Sequence, residues 1–379
     1  MKKFKTNGQK TNKTVMLSAS YAQSLINFRS HLIQKLVSIP AEVIVVAPNI
    51  NQELKDNLEN LGCIVEAVKL KRNSISVSAD VLYVFKLITL LVKYKPSLLI
   101  SYTAKPNIFG AVASKLVGIR SVSLVTGLGT GFLYEHASVR SFIIKNLYSF
   151  AFYLNRIIIF QNPDDISDLV KFGINSHVSK SHVVNGSGVD INFFKKEPFP
   201  NDINFLMLSR LIKSKGILEF LEAAKLIKQM GYCVSFTLAG PDDYGYDSLD
   251  RAELLAKYGE YVDIQKDVAD VRNLIKKSSV YVLPSYREGT PRSVLEAMSM
   301  GRPIITTDAP GCRETVSNND NGFLVKVKSV DDLVRAIENY CKNPTLIEDM
   351  GASSHRLVKE KFEINFVTNQ YMTHIKGLL

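Results

Sequence analysis

The segment INFLMLSRLIKSKGILEFLEAAKLIKQMGYCVSFTLAG (203–240) decides the fold, because its hydrophobic pattern changes twice. It begins with a short, almost continuous apolar run, continues with apolar residues at the spacing of a helix in GILEFLEAAKLIKQMG, and ends with a second apolar run, VSFTLAG. Short apolar runs are typical of strands that are buried on both faces. Two such strands joined by a helix form a βαβ unit, so the segment predicts a parallel sheet.

Apolar runs and helical segments alternate in the same way along the rest of the chain. Runs that predict strands lie at 42–48, 96–102, 121–127 and 156–162 before this segment, and at 279–285, 302–308 and 321–326 after it. With 379 residues, the chain is longer than one hydrophobic core usually accommodates. We therefore expect an α/β protein with two Rossmann-like, doubly wound domains, the first at 13–190 and the second at 200–362.

The two predicted domains are separated by VDINFFKKEPFPND (189–202), which contains prolines and charges without a clear period. We place the linker near 190–202. Open parallel sheets bind ligands beyond the carboxyl ends of their strands. Two such domains facing each other across a cleft would collect their functional residues at these strand ends.

The net charge of +11 is distributed unevenly along the chain. Residues 1–199 carry 24 Lys and Arg against 12 Asp and Glu, whereas residues 200–379 carry 23 against 24. A basic excess favours anionic partners, either phosphates or the anionic surface of a membrane. The alternative is a basic surface that only keeps the protein soluble.

Cysteine spacing and hydropathy indicate a cytoplasmic protein. Four cysteines without CxxC spacing argue against a zinc site and fit a reducing compartment. The beginning of the chain, MKKFKTNGQKTNK, has no apolar signal-peptide core. The longest apolar stretch, VLYVFKLITLLV (81–92), is too short to span a bilayer and contains Lys86. Neither the scattered histidines nor any Asp pair has the spacing of a metal site, so we expect no metal.

Two cations follow the first predicted strand of the second domain. SRLIKSKGI (209–217) places Arg210 and Lys215 around a turn that opens a helix. Fixed cations beside the free N–H groups of a helix N-terminus suit a diphosphate. The alternative is a pair of solvated loop cations.

A second strand end carries a Gly-Thr-Pro turn. SVYVLPSYREGTPRSVLEAM (279–298) predicts a strand, a turn through Gly289–Thr290–Pro291 with Glu288 at its start, and a helix that begins near Ser293. The turn amides and the helix N-terminus favour negative charge, which again predicts a phosphate.

Glu296, in the first turn of that helix, has two interpretations. Ser293 and Glu296 have the spacing of a capping box, in which each side chain binds the backbone N–H of the other residue. The local sequence favours this cap. A carboxylate at this position could instead accept hydrogen bonds from a ribose diol.

The motifs of the second domain resemble those of a known family. EGTPRSVLEA (288–297), with Glu288 and Glu296 in E-x7-E spacing, SRLIKSKGI upstream and GRPIITTDAPGCRE (301–314) downstream resemble the retaining glycosyltransferases of family 4, which have the GT-B fold. The resemblance implies that Arg210 and Lys215 hold the donor diphosphate, that Glu288 contacts the donor sugar and that Glu296 binds the ribose. It also implies that the residues between the two glutamates line the donor site: Gly289, Thr290, Pro291, Arg292 and Ser293.

In the first domain, SYTAKPNIFGAVASKLVGI (101–119) and SVSLVTGLGTGF (121–132) resemble the bacterial branch that extends polyprenyl-diphosphate-linked oligosaccharides. The family often has a Gly-Gly pair in its first strand-to-helix loop, which corresponds to SASYAQSL (18–25), and a histidine in a later loop of the first domain. This chain has no Gly-Gly pair there and no histidine in SYTAKPN (101–107), so the acceptor base is not identified. The last segment, 363–379, resembles the family's closing helix, which returns to the first domain. Candidate residues for the acceptor site or the cleft are Ser20, Tyr21, Lys105, Asn107, Gly127 and Gly129.

The resemblance implies a retaining transfer of a hexose or N-acetylhexosamine, from a UDP-sugar such as UDP-GalNAc or UDP-GlcNAc to a polyprenyl-diphosphate-linked saccharide. Such an enzyme needs no cofactor beyond the co-substrate and binds no nucleic acid. Cations mixed with apolar residues in 69–95 and 140–156 predict peripheral attachment to the anionic inner face of the cell membrane. The alternative is that these segments are core-facing helices with basic outer faces. The rival hypotheses are a UDP-sugar 2-epimerase or a phosphorylase on the same fold, and an inactive scaffold of a polysaccharide assembly complex.

Overall fold

The computed structural model describes residues 13–39, 41–70, 76–128, 139–175, 178–245, 247–266, 268 and 270–379. These residues divide into two compact units. The first unit runs to Phe160 and also contains Ile166–Val184 and Thr368–Leu379. The second unit contains Asn185–Val367 and the short segment Gln161–Asp165.

The described residues of the first unit form a seven-stranded sheet in which every paired neighbour is parallel. Its strands are β1 (Thr14–Ala19), β2 (Glu42–Ala47), β3 (Cys63–Ala67), β4 (Leu98–Tyr102), β5 (Arg120–Val125), β6 (Ile157–Phe160) and β7 (Ser181–Val183). Its helices are α1 (Gln23–Ser38), α2 (Gln52–Asn60), α3 (Val77–Tyr94), α4 (Ala104–Leu116), α5 (Val139–Leu154) and α6 (Pro163–Lys171), of which α6 begins in the segment assigned to the second unit.

The second unit contains a six-stranded sheet, also parallel throughout. Its strands are β8 (Asn204–Leu208), β9 (Ser235–Ala239), β10 (Asp263–Gln265), β11 (Val280–Leu283), β12 (Ile304–Thr307) and β13 (Gly322–Val325). Its helices are α7 (Ile217–Gln229), α8 (Arg251–Tyr258), α9 (Arg272–Lys276), α10 (Arg292–Ser299), α11 (Val330–Lys342) and α12 (Thr345–Lys361), followed by α13 (Ile364–Ile375), which continues into the first unit.

Burial explains why the short apolar runs form central strands. Every residue of β4 and of β11 is buried, as expected for parallel strands covered by helices on both faces. In the core of the second unit, the Phe205 and Phe236 rings stack at 5.1 Å between centroids, and Phe220 of α7 meets Phe236 edge-on at 5.9 Å. The helix of the segment 203–240 therefore packs directly on the two strands that it connects.

The strand orders locate the ligand-binding edge of each sheet. The first sheet has the order β3-β2-β1-β4-β5-β6-β7 and the second β10-β9-β8-β11-β12-β13. The order reverses between β1 and β4 in the first unit and between β8 and β11 in the second. Open sheets bind ligands at the carboxyl ends of such a strand pair. The predicted α/β class with two doubly wound sheets is confirmed.

The division into units differs from the predicted linker at 190–202. The second unit already begins at Asn185, because the segment after it packs on the second core, where Val189 and Phe194 are buried. Helix α13 lies within the predicted closing segment, 363–379, and from Thr368 onward it belongs to the first unit. None of the helices within the described ranges has both the length and the apolar character needed to cross a membrane.

A buried arginine fastens the segment that precedes β8. Arg302 is 0% exposed, and its guanidinium donates to the carbonyl oxygens of Glu197 at 2.9 Å and Pro198 at 2.8 Å. It also donates to the carbonyl oxygens of Ile275 at 3.0 Å and Lys276 at 3.1 Å, at the end of α9. One side chain thus satisfies four backbone acceptors.

We predict that Arg302→Leu lowers the free energy of unfolding by about 3 to 5 kcal/mol, because four carbonyl oxygens lose a charged donor without gaining water. Urea unfolding measures the change. Arg335→Leu is the control, since that side chain is 66% exposed. Equal losses for the two variants would contradict the role given to Arg302.

Candidate functional site

Lys215 and Glu288 form an ion pair at the carboxyl ends of β8 and β11. Lys215 ends a single 3-10 turn, Lys213–Lys215, between β8 and α7, and Glu288 lies in the loop between β11 and α10. Because β8 and β11 are neighbours in the sheet, these two loops meet. The side chains are 22% and 13% exposed, so the pair is largely withdrawn from water while one side of it remains accessible.

The turn that carries Lys215 is fixed to the end of β11. Gly216 has a φ of 77°, and a Cβ atom there would lie 2.1 Å from the carbonyl oxygen of Pro284. Only glycine permits both this left-handed conformation and this close approach. The amide of Tyr286 also donates to the carbonyl oxygen of Ser214 at 2.9 Å. The position of Lys215 is therefore set by backbone contacts.

Arg210 lies beyond the end of β8 and forms an ion pair with Asp243, in the loop after β9. Its side chain is 46% exposed, whereas that of Asp243 is 12% exposed. The same loop holds the Lys215 turn, because Asp247 accepts a hydrogen bond from the Ser214 amide at 2.9 Å. Arg210 is thus oriented by a carboxylate while much of its guanidinium still faces solvent.

The loop that carries Glu288 packs against the loop after β12. The Glu288 amide donates to the carbonyl oxygen of Pro310 at 2.9 Å. Gly311, with a φ of 79°, approaches so closely that a Cβ atom would lie 2.2 Å from the Glu288 carbonyl oxygen and 2.6 Å from that of Gly289. The loop after β12, which lies within GRPIITTDAPGCRE, therefore packs directly against the Glu288 loop and holds it in place.

The predicted capping box is wrong. Helix α10 begins at Arg292, one residue earlier than expected, with Pro291 at the N-cap and no side-chain cap. Ser293 therefore lies within the first turn of the helix and does not cap it. The Glu296 carboxylate accepts from Arg292 Nε at 3.1 Å, an i,i+4 ion pair. Arg292 in turn donates to the carbonyl oxygen of Gly188 at 2.6 Å.

Glu296 is poorly hydrated, with 15% of its side chain exposed. Burial raises the pKa of its carboxyl group to about 6, and the neighbouring Arg292 guanidinium opposes that rise. Since local pairing with Ser293 no longer occupies it, the carboxylate remains a candidate acceptor for ligand hydroxyl groups.

A cavity of ≈ 170 Å³ lies at the carboxyl ends of β8 and β9. Sequence reasoning missed this feature because its walls bring together residues that are far apart in sequence and include Val268 and Val271, which lie in no recognisable motif. The lining residues are Leu208, Ser209, Arg210, Ala239, Gly240, Pro241, Val268 and Val271. Arg210 thus contributes to this cavity as well as flanking the Lys215 turn.

In the first unit, two predicted residues lie at the end of β1. Ser20 is buried, and its Oγ accepts a hydrogen bond from the Thr103 hydroxyl at 2.8 Å. Tyr21 is 48% exposed. Thr103 follows the adjacent strand β4 and has a φ of 73°, which is uncommon for a β-branched residue and typical of functional loops. Sequence reasoning missed Thr103, since backbone strain leaves no local signal.

The other predicted first-unit residues have partners within the fold or lie elsewhere. Lys105 pairs with Asp80 of α3 at 2.5 Å, with 15% and 11% of the side chains exposed. Asn107 is buried and donates to the carbonyl oxygen of Leu124 at 3.0 Å, which joins α4 to β5. Gly127 follows β5 with a φ of 107°. Gly129 lies outside the described residues.

Within the described ranges, no group of three or more His, Cys, Asp and Glu side chains lies close enough together to hold a metal ion. The charged groups at the ends of β8 and β11 are instead Arg210, Lys215, Glu288 and Glu296. Two cations and a helix N-terminus are suited to an anionic ligand.

Residues 189–357 match the family model described as "Glycosyl transferases group 1", and residues 17–162 match the one described as "Glycosyl transferase 4-like". The chain therefore consists of a glycosyl transferase 4-like domain followed by a group 1 glycosyl transferase domain. It is an enzyme of the glycosyltransferase class with the GT-B fold. The match at 189–357 covers the whole second sheet and contains Lys215, Glu288 and Glu296, and the match at 17–162 covers most of the first sheet.

Two curated relatives align with most of this glycosyltransferase. The N,N'-diacetylbacillosaminyl-diphospho-undecaprenol alpha-1,3-N-acetylgalactosaminyltransferase of Campylobacter jejuni is 28% identical over 366 residues, which cover 92% of this chain and 94% of the relative. The UDP-Gal:alpha-D-GlcNAc-diphosphoundecaprenol alpha-1,3-galactosyltransferase of Escherichia coli is 28% identical over 286 residues, or 70% of this chain and 71% of the relative.

The fold of the glycosyltransferase is also found in solved structures. The crystal structure of Anabaena Alr3699/HepE in complex with UDP-glucose superposes with a TM-score of 0.78 at 17% identity, covering 96% of this chain and 99% of that one. At this level of identity the likeness supports the fold alone.

We predict that Glu296→Gln changes how stability depends on pH. The raised pKa of Glu296 makes its ionisation unfavourable in the folded state, so the parent loses stability as pH rises from about 4.5 to above 6, by about 2 kcal/mol. The glutamine variant lacks this loss. Urea unfolding at several pH values tests the difference, and parallel stability curves for the two proteins would contradict it.

Proposed function

We propose that this glycosyltransferase moves a hexose or N-acetylhexosamine, with retention, from a UDP-sugar to a polyprenyl-diphosphate-linked saccharide. The observation that carries the proposal is the Lys215–Glu288 pair at the ends of β8 and β11, beside the N-terminus of α10 and Glu296. The names of the Campylobacter jejuni and Escherichia coli relatives support both substrate classes. Retention follows from the resemblance to the retaining enzymes of family 4.

The proposed chemistry depends on stabilising a leaving diphosphate. Cleavage of the glycosyl–phosphate bond builds negative charge on the departing nucleoside diphosphate and positive character on the sugar. The Lys215 ammonium group has three donors, so it can bind a phosphate oxygen while it stays paired with Glu288. Arg210, with an accessible guanidinium held by Asp243, supplies a second cation. Two fixed cations can thus stabilise the leaving group without a metal.

The remaining parts of the donor fit the same edge of the second sheet. The cavity at the ends of β8 and β9, with Val268 and Val271 in its wall, suits a flat nucleobase. The Glu296 carboxylate would accept the ribose hydroxyls, and Glu288 the hydroxyls of the sugar. A hydrolase would need two carboxylates on opposite sides of the scissile bond. Here both glutamates flank one donor segment, which favours transfer.

For the first unit we propose the acceptor site. Ser20 and Thr103 follow adjacent strands at the point where the strand order reverses, and Tyr21 beside them is half exposed. Hydroxyl and phenol groups at this edge suit the hydroxyls of an acceptor sugar. The charge of Lys105 is already paired with that of Asp80, so Lys105 would contact the acceptor as a member of this ion pair.

The decisive assay incubates the purified protein with a panel of UDP-sugars, with and without a polyprenyl-diphosphate sugar, and measures UDP release and the mass of the lipid product. We expect product only when both substrates are present. Conversion of the donor without an acceptor would favour the 2-epimerase. UDP binding without turnover for every pair would favour a scaffold.

We predict that Lys215→Ala weakens UDP binding by at least tenfold, because a charge-assisted hydrogen bond to a phosphate is lost. Lys213→Ala is the matched control, since Lys213 is an exposed lysine of the same turn. Isothermal titration with UDP measures both affinities. If Lys215→Ala binds UDP as tightly as Lys213→Ala does, the diphosphate assignment is wrong.

We also propose that α3 and α5 attach the enzyme to an anionic membrane. Both helices pack against α4 and leave rows of large apolar side chains in solvent. The exposed residues are Val77, Val81, Leu82, Phe85 and Val92 on α3, and Phe142, Ile143, Leu147, Phe150 and Tyr153 on α5. Lys86, Lys95 and Arg156 are exposed on or directly after these helices. The basic stretch 71–75, included in the sequence prediction, lies outside the described residues.

We predict that the double variant Phe85→Ser, Phe150→Ser lowers vesicle binding by at least tenfold, because two large apolar side chains no longer enter the bilayer interface. Sedimentation with phosphatidylcholine vesicles, with and without phosphatidylglycerol, measures binding. Leu255→Ser is the control, since Leu255 is 44% exposed on α8 of the second unit. Unchanged binding of the double variant would contradict this attachment surface.

A further inference from the structure

The segment Gln161–Asp165 follows β6 of the first sheet but belongs to the second unit. Its sequence, QNPDD, has the composition of an ordinary turn and helix start. In the structure, its residues contact the loop that carries Glu288. Thr290 Oγ1 donates to the carbonyl oxygen of Gln161 at 3.1 Å, and Arg287 forms a buried ion pair with Asp165.

Asn162 makes the contacts nearest to the site. It is 0% exposed, and its Nδ2 donates to the carbonyl oxygen of Gly289 at 2.9 Å and to that of Glu288 at 3.3 Å. Its Oδ1 accepts from the Asp165 amide at 2.8 Å. A single buried side chain therefore binds two successive carbonyl groups of the donor loop and also fixes the segment from which it extends.

These two hydrogen bonds determine where the neighbouring amides point. In a trans peptide group, the C=O and the following N–H point in opposite directions. When Asn162 binds the carbonyls of Glu288 and Gly289, the N–H groups of Gly289 and Thr290 are directed away from it. Neither N–H finds a hydrogen-bond acceptor among the described residues. Both amides lie directly before α10, whose first N–H groups also favour an anion.

We propose that Asn162 is a positioning residue that aims the amides of Gly289 and Thr290 at the diphosphate of the donor. This inference rests on the function proposed above. Asn162 acts through the backbone of the Glu288 loop and does not touch the substrate itself. The amides add two donors to those of Lys215 and Arg210, and they are held in place before the leaving group acquires charge.

Other contacts show why the loop needs an asparagine at this place. Gly311 packs against the same two carbonyl groups, of Glu288 and Gly289, and Asn162, which donates to both, is 0% exposed. An amide side chain supplies two donors and an acceptor, which neither a serine nor an aspartate can offer. The buried Arg287–Asp165 pair, 9% and 0% exposed, holds the segment at one end.

The test compares the affinities of UDP and uridine for Asn162→Ala and Asn162→Asp. The aspartate keeps the size of the side chain and the acceptor for the Asp165 amide, but it loses both donors. We expect UDP affinity to fall about tenfold or more in each variant, while uridine affinity stays within about twofold of the parent. We also expect kcat to fall about 10²-fold, the typical effect of losing an oriented donor to a developing anion.

The ratio of the two affinities in one preparation does not depend on how much of that protein is folded. Asn155→Ala is the matched control, because Asn155 is also buried and donates to two acceptors, Ser123 Oγ and the Ala151 carbonyl oxygen. We expect its UDP-to-uridine ratio to equal that of the parent. An unchanged ratio in both Asn162 variants, with the parent binding UDP, would overturn this inference alone. A parent that binds neither ligand would overturn the proposed function instead.

Discussion

The ion pair between Lys215 and Glu288 depends on a single feature of topology, the adjacency of β8 and β11. These strands are far apart in sequence, and they become neighbours only because the sheet reverses its order there. Parallel strands end at the same edge, so the loops that follow them must pack on each other. The close approach of Gly216 to Pro284 and the Tyr286–Ser214 hydrogen bond then fix the lysine relative to the glutamate. Without that reversal, Lys215 and Glu288 would not meet at this edge.

The same edge illustrates how a loop can be rigid without regular structure. The loop from Glu288 to Pro291 forms neither strand nor helix. The carbonyl oxygens of Glu288 and Gly289 nevertheless contact Asn162 and Gly311, and Thr290 Oγ1 donates to the Gln161 carbonyl oxygen. Backbone acceptors are satisfied on one side, which leaves amides for the other. In a trans peptide group the C=O and the N–H point in opposite directions. Hydrogen bonding of the carbonyl groups inside the protein therefore also directs the N–H groups to the side where a ligand could bind.

How much of this was predictable from sequence depends on the range of the interaction. Strands, helices and the placement of Lys215 and Glu288 after strands follow from local hydrophobic periodicity. The capping box failed because the helix begins at Arg292 with Pro291 at the N-cap, which places Ser293 inside the first turn. Asn162 donates to a loop that is far away in sequence, and Val268 lines a cavity together with residues from the distant ends of β8 and β9. The linker was placed near 190–202 because this stretch, although Phe194 within it packs on the second core, shows no periodic signal.

Charge is used differently in the two units. Residues 200–379 are nearly neutral, with 23 Lys and Arg against 24 Asp and Glu, and the cations of the site are matched by carboxylates, Lys215 by Glu288 and Arg210 by Asp243. If the site binds a diphosphate, as we propose, net charge cannot be what selects it. Fixed direction has to do so, through held side chains and oriented amides, which lose little energy to reorganisation when a ligand arrives. The first half of the chain carries the whole excess of positive charge beside exposed apolar helices, an arrangement that suits a broad anionic surface in which no single contact is fixed. A membrane surface tolerates imprecise contacts, whereas a leaving diphosphate needs donors at fixed positions. The excess positive charge of the first half of the chain therefore suits the proposed membrane contact, and the oriented donors of the second unit suit the proposed donor site.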